Sequence, residues 1–218
     1  MALVGLVVVS HSRPLAEAAV ELSLQMVHGT RPEIVVAAGT PEGGFGTDAT
    51  QVADAVRAAD RGAGVVVLMD LGSAVLSAEF AMELVEDANA ILVAAPFVEG
   101  LLAATVRAAT GGTREEVADE ARAALGPKLA ALGLDSPADE EPPEKTGEVP
   151  WAADAETRVT LPNASGLHAR PAALLVAEAG RFDAEVRLRC HGVEGGASSS
   201  IALATLNARK GDEVWIGA

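Results

Sequence analysis

The sequence predicts an α/β protein: an open, mostly parallel sheet with helices on both faces, joined to a small α+β module. Three observations carry this. Four short, valine-rich apolar runs alternate with helical patterns over residues 1–133. A proline-rich acidic stretch at 134–156 breaks the pattern. Residues 157–218 then resume with a different order of elements and a different charge balance.

The apolar runs are Leu3–Val9, Ile34–Ala38, Val65–Met69 and Ile91–Ala95. Each is apolar on both faces, as a strand must be when helices cover its sheet above and below. The alternation implies right-handed crossovers. The first intervening helix is expected to bury Leu15, Ala18, Ala19, Leu22 and Met26 and to turn Glu17, Glu21 and Gln25 to water. Later helices are expected over Glu99–Ala109 and Arg114–Leu132, the second capped by Thr113 with Glu116 three residues on.

Residues 134–156 carry 1 basic and 8 acidic side chains and four prolines. Like charges repel and proline opposes helix, so this stretch reads as an extended, solvated tether. The net charge is −9 over residues 1–133 and +1 over 157–218. The last segment reads as a strand at Arg158–Leu161, a helix at Ala169–Ala179 and a strand at Ala184–Arg189. A short helix at Ser199–Ala208 and a strand at Glu213–Ile216 complete it. That order is a small α+β sandwich, marginal by core size.

Composition excludes several functions. The 218 residues are half apolar, ample for a packed core, and carry a net charge of −15. Nucleic acid and anionic membranes require clustered Lys and Arg, so neither is an expected partner. Four Phe, two Trp and no Tyr leave little for base stacking. Residues 1–9 lack a basic region and are too short to cross a bilayer. The single cysteine, Cys190, cannot form an internal disulfide. A reducing cytoplasm is therefore the expected compartment, with the thiol as a small buried residue. No His or Cys spacing fits a metal site, and no P-loop pattern occurs. Gly44-Phe45-Gly46-Thr47-Asp48-Ala49 matches a dinucleotide fingerprint in letters, but not in the turn after strand one where that fingerprint works. The stretch Gly39–Thr47 reads instead as a mobile loop.

The chemistry concentrates in two of the four histidines. His11-Ser12-Arg13-Pro14 follows the first strand and opens a helix; His168-Ala169-Arg170-Pro171 opens another. Proline is tolerated in a first helical turn, where its missing N–H is not needed. Helix starts attract anions, and a neighbouring guanidinium offers a fork of donors to phosphate oxygens. Taken singly, a histidine at a helix start is an ordinary capping or surface residue. Its recurrence points to a nucleophilic imidazole beside an anion cradle, which a phosphohistidine requires. His28 and His191 lack this setting and read as structural.

Ligand sites in open α/β sheets form beyond the carboxyl ends of the strands. His11, Gly39-Thr40 and Asp70-Leu71-Gly72-Ser73 should therefore meet on one rim. Asp70 either accepts a ring proton and fixes the tautomer, or caps a helix. The candidate phosphate contacts are Ser12, Arg13, Thr40, Gly72 and Ser73 for His11, and Ala169 with Arg170 for His168.

These residues carry a family resemblance. The segment Asn163–Ala172, NASGLHARPA, resembles the active-site segment of HPr, the histidine phosphocarrier of the sugar phosphotransferase system. That implies a phosphorylated His168, with Arg170 stabilising the phosphoryl group. Val8–Ser12, Gly39-Thr40, Gly46-Thr47 and Met69–Ala74 resemble the mannose-family enzyme IIA domain, most closely that in the phosphotransferase subunit of dihydroxyacetone kinase. In that family the histidine is phosphorylated and the aspartate orients it, which the resemblance carries to His11 and Asp70.

The resemblance implies a relay. A phosphoryl group enters at His168 from the phosphoenolpyruvate-dependent enzyme I, directly or through another HPr. It passes to His11 and then to ADP on the nucleotide-binding subunit of dihydroxyacetone kinase. A homodimer is implied, and no cofactor beyond the covalent phosphohistidine. Compared with HPr, the module stops short of the last helix. No enzyme I-like segment follows, so the phosphoryl group is expected from a separate protein. Two other readings remain: a mannose-type transporter component that serves a sugar-specific IIB protein, and a regulatory module that signals by its phosphorylation state. A dehydrogenase rests on the glycine match alone.

Overall fold

In a computed structural model the apolar runs become β1 (Gly5–Ser10), β2 (Ile34–Ala38), β3 (Val65–Met69) and β4 (Ala90–Val93). They form one parallel sheet in the order β2-β1-β3-β4. The expected fold class is borne out. Side chains alternate across a strand, so Leu6 and Val8 join one core while Val7 and Val9 join the other. The first core packs α1 (Arg13–Leu24), α4 (Phe97–Ala109) and α5 (Arg114–Ala123); the second packs α2 (Ala49–Ala59) and α3 (Gly72–Glu83). Both faces of the sheet are thus covered. Each fully buried Val or Leu contributes about 1.5–3 kcal/mol relative to an exposed one. The sheet is accordingly the rigid base on which the loops beyond it are mounted.

The structure describes residues 2–41, 43–85, 87–134, 153–162, 166–167, 169–206 and 208–218, with only the backbone of 169 and 170. Chain contacts divide it into two compact units, Met1–Leu125 and Gly126–Ala218. The tether read from the sequence falls almost wholly outside the described residues.

Two local expectations change. Helix α1 buries Ala16, Ala19 and Ser23, whereas Leu15 and Leu22 are exposed. Small residues on the inner stripe let the helix approach the sheet and α4 closely, and the larger leucines turn outward. The helix expected to run from Arg114 to Leu132 stops at Ala123, and a separate α6 covers Gly126–Ala131. Pro127 is the cause: it has no N–H for a bond four residues back, and its ring disfavours helical backbone just before it. The Thr113–Glu116 capping box at the start of α5 forms as expected.

The second unit contains β5 (Glu156–Thr160), α7 (Ala169–Ala179), β6 (Arg187–Cys190), β7 (Val193–Gly196), α8 (Ser200–Thr205) and β8 (Glu213–Gly217). The strands form an antiparallel sheet in the order β5-β8-β6-β7. Its core includes Ala172, Ala173, Val176, Leu188, Leu203, Leu206 and Val214. Strand β7 has no counterpart in the sequence reading, since its glycines show no apolar alternation. Among the described residues, no helix is long and apolar enough to cross a membrane.

Candidate active site

The register of the parallel sheet assembles the first site. Ser10 pairs with Ala38 and Val9 with Met69, so His11, Gly39 and Asp70 leave their strands side by side. Backbone bonds continue past the strand ends, from Gly39 N–H to Ser10 O (3.1 Å) and from Asp70 N–H to Val9 O (3.1 Å). The chain passes from β1 to β2 on one side and returns to β3 on the other. His11 and Asp70 therefore lie at the switch point of the sheet, where such folds open a crevice.

Asp70 is held by four donors. Its Oδ1 lies 2.9 Å from the His11 ring Nδ1 and accepts the Leu71 N–H at 2.7 Å. Its Oδ2 accepts the Ser10 hydroxyl and the His11 backbone N–H, both at 2.9 Å. Burial pushes this carboxyl up, but the bonds from His11, Ser10 and Leu71 outweigh it and hold the pKa below the ordinary 3.8. Asp70 is therefore ionised at neutral pH and can only accept. The ring Nδ1 must then carry the proton, and Nε2 keeps its lone pair.

Nε2 faces the start of a helix. Ser73 Oγ lies 2.7 Å from it and donates to that lone pair. Ser73 stands in the first turn of α3, whose N-cap, Leu71, makes no side-chain capping bond. By contrast α1, α2 and α5 are capped by Ser12, Asp48 and Thr113. The uncapped N–H groups and the helix dipole favour an anion in front of Nε2. At Gly72, an added Cβ would meet nothing within 4 Å, so the approach is open. The imidazole is 24% exposed and the Asp70 side chain 8%, a reachable ring on a buried support.

Of the residues singled out from the sequence, His11, Asp70 and Ser73 come together, with Gly72 alongside. The imidazole was expected at the mouth of its own helix; the helix start that meets Nε2 is that of α3. Asp70 does not cap α3. Ser12 caps α1 through the Leu15 N–H (3.4 Å), and Arg13 lies 3.7 Å from Glu17. Ser12, Arg13 and Thr40 line an adjoining cavity of about 320 Å³, together with Glu17, Gly44 and Phe45. Described residues of the Gly39–Thr47 loop make hydrogen bonds within the loop and to its neighbours. Gly46 N–H bonds His11 O (3.0 Å), Thr40 N–H bonds Gly44 O (3.0 Å), and Thr47 Oγ1 meets Ser77 Oγ of α3 at 2.7 Å.

Sequence reading missed Ser10. It is fully buried, donates to Asp70 and accepts the Ser12 N–H at 3.1 Å. Its signal was a lone hydroxyl ending an otherwise apolar strand. His168 lies outside the described residues, as do the side chains of Ala169 and Arg170; α7 begins at Ala169.

The fold and this site define a phosphotransferase-system carrier domain. The pattern of the EIIA-man family, described as PTS system fructose IIA component, matches residues 5–118, and the chain belongs to that family. The PTS HPr component phosphorylation site pattern matches residues 155–218. Over 99% of its length the chain is 40% identical to "PEP-dependent dihydroxyacetone kinase, phosphoryl donor subunit DhaM" of Pantoea ananatis (strain LMG 20103), and covers 46% of that protein. The chain thus spans about half the length of the longer relatives it matches. It is 32% identical over 54% of its length to "PEP-dependent dihydroxyacetone kinase 2, phosphoryl donor subunit DhaM" of Listeria innocua, and covers 96% of that protein. It is also 41% identical over 63 residues to "Phosphocarrier protein HPr" of Vibrio cholerae, which is 29% of this chain and 74% of that protein. The resemblance to a mannose-type IIA domain fused to an HPr-like segment holds.

Proposed function

We propose that this chain is a phosphohistidine carrier that relays phosphoryl groups from enzyme I and HPr to dihydroxyacetone kinase. His168 receives the group and passes it to His11. His11 delivers it to ADP held on the nucleotide-binding subunit of the kinase. The observation that carries the reading is the His11 ring, fixed at Nδ1 by an ionised Asp70 and presenting Nε2 to the start of α3. In each step one N–P bond breaks in line as a new bond to phosphorus forms, an N–P bond at His168 and then at His11 and finally a P–O bond to ADP, and the Nδ1 proton of His11 stays on its ring. The phosphorylated imidazole gains positive charge, which the adjacent carboxylate stabilises. Catalysis reduces to positioning and electrostatics.

The surroundings suit transfer between facing proteins. Leu15, Phe45 and Leu71, from the three segments that flank His11, are 47, 84 and 62% exposed. An apolar rim around a polar centre is what a transient partner can cover. The acidic stretch 134–156 would hold the HPr-like segment near His11 at high effective concentration, within one chain or across a homodimer. A cytoplasmic location, and a reaction that needs no cofactor beyond the covalent intermediate, belong to the same proposal.

The test is acid-labile phosphate mapping of the full chain after incubation with phosphoenolpyruvate, enzyme I and HPr. Label on His11 and His168, lost on adding the nucleotide-binding kinase subunit with ADP, is the expected result. Loss only to a sugar-specific IIB protein would make the chain a transporter component. Stable label that neither acceptor removes would make it a regulatory module.

A further inference from the structure

A second cluster of reactive side chains lies in the other unit, and the relay does not use it. Cys190 ends β6, and Cys190 and Val193 form the closing pair of the β6–β7 hairpin. The two residues between them, His191 and Gly192, both have positive φ, 52° and 80°. A two-residue loop with both centres left-handed is a type I′ turn, a place where Asn is the usual first residue and His is tolerated. This turn swings the imidazole back over the entrance to β8. There His191 Nε2 meets Asp212 Oδ2 at 2.8 Å, and the same oxygen accepts the Arg209 N–H at 2.7 Å. The thiol, imidazole and carboxylate donor atoms all lie within 4.8 Å of one another.

We propose that Cys190, His191 and Asp212 form a binding site for a borderline-soft divalent cation of the zinc class. One thiolate, one imidazole and one carboxylate are a three-ligand set such ions accept, with water as the fourth ligand. Bond lengths of about 2.0–2.3 Å put tetrahedral ligands roughly 3–4 Å apart, so the 2.8 Å imidazole–carboxylate pair must open slightly while the other separations, at most 4.8 Å, close by no more than about 2 Å. The proton balance is simple. Burial and Asp212 push the Cys190 thiol up, so it is protonated when unliganded and releases its proton to solvent on binding. The imidazole keeps one proton, which shifts from Nε2 to Nδ1 and leaves the Nε2 lone pair for the metal. Arg209 adds positive charge near Asp212, so charge alone would attract a hard cation poorly, and the sulfur supplies the selectivity.

Such an ion would tie the β6–β7 hairpin to the segment that leads into β8, clamping the middle of a small sheet. Sequence spacing did not reveal it, because Cys190 and His191 are adjacent while Asp212 comes from a distant turn. The proposal is independent of the phosphoryl relay, and either can fail alone.

The test titrates the full chain with cobalt(II) as a spectroscopic probe, followed by zinc(II) as competitor. Because the sequence holds a single cysteine, a thiolate-to-metal charge-transfer band reports Cys190 alone. Wild type should show the band at one equivalent, lose it to zinc, and melt at higher temperature with zinc bound. Cys190→Ser should lose the band entirely. His191→Asn suits the I′ turn and keeps the hairpin folded, so its expected loss of the band cannot be blamed on unfolding. No band in wild type overturns the proposal. A band of undiminished affinity in both His191→Asn and Asp212→Asn overturns it equally, since the sulfur would then bind without its two partners.

Discussion

Two histidine–aspartate pairs of nearly equal length occupy the two units, and their surroundings differ. His11 meets Asp70 at 2.9 Å and His191 meets Asp212 at 2.8 Å. In the first pair the carboxylate is 8% exposed and saturated by four donors; in the second it is 24% exposed beside a ring that is 59% exposed. Both carboxyls are held below their ordinary pKa, Asp70 against burial and Asp212 mainly by the Arg209 N–H and His191. Distance therefore does not distinguish them. The distinction lies at the free ring nitrogen, which faces the open start of α3 in His11 and belongs to a hairpin turn in His191. A nucleophile requires a fixed tautomer and an anion-friendly field before it, and one pair supplies both.

The largest test of that contrast is removal of each ring. His11→Ala should cut phosphoryl transfer to the final acceptor by more than about 10³-fold, because no neighbouring group can carry the N–P bond. His191→Ala should leave that transfer unchanged. Rapid-quench measurement of labelled phosphate distinguishes the two, and equal losses would erase the contrast.

Next in size is the carboxylate. Asp70→Asn replaces an ionised acceptor of four bonds with an amide that must also donate, and the ring loses its reason to protonate Nδ1. Transfer should fall by about 10²- to 10⁴-fold. Stability should fall too, by about 1–3 kcal/mol for each buried donor left unpaired. The sign of its pH dependence follows from the depressed pKa. Asp70 contributes its stability in full above the ordinary value of 3.8, and that contribution disappears as pH falls toward and through the lower folded value. Wild type and Asp70→Asn should thus differ most in urea unfolding at neutral pH and converge in acid.

Much of this site was legible in the sequence because parallel-sheet folds impose it. Val-rich runs buried on both faces fix the strands, and the residues that follow them, His11 and Asp70, must share a rim. Three things were not legible. Which face α1 buries depended on how close its alanines bring it to α4, a packing outcome that hydrophobicity alone orders wrongly. Ser10 looked like the last residue of a strand, and only three-dimensional placement turns its hydroxyl toward Asp70. The His191–Asp212 contact joins two turns far apart in the chain, so no local spacing encodes it. Pro127, by contrast, was visible, and its break between α5 and α6 follows from its missing N–H.

Ser73 sharpens the comparison at smaller amplitude, since among the described residues a hydroxyl meets the Nε2 of His11 whereas the His191 ring meets only the Asp212 carboxylate. One neutral hydrogen bond contributes about 0.5–1.5 kcal/mol, so Ser73→Ala should slow transfer by about 2- to 10-fold. Ser73 is exposed in a first helical turn, so the variant's unfolding transition should match wild type. A slower step with a displaced melting curve would mean that the hydroxyl supports the fold instead.

The smallest expected effect is the most discriminating. His191→Asn keeps the backbone that the hairpin needs, because Asn takes the left-handed position of a type I′ turn at least as readily as His. It deletes one imidazole from an exposed pair, and exposed pairs contribute little to stability. Phosphoryl transfer and the metal-free melting temperature should both stay within error of wild type, while the cobalt–thiolate band disappears. Two histidine–aspartate pairs in one chain would then answer to separate chemistries, one read by phosphate and the other by metal. A slowed transfer in this variant would instead make the hairpin part of the relay's docking surface, and the division of labour between the two pairs would fall.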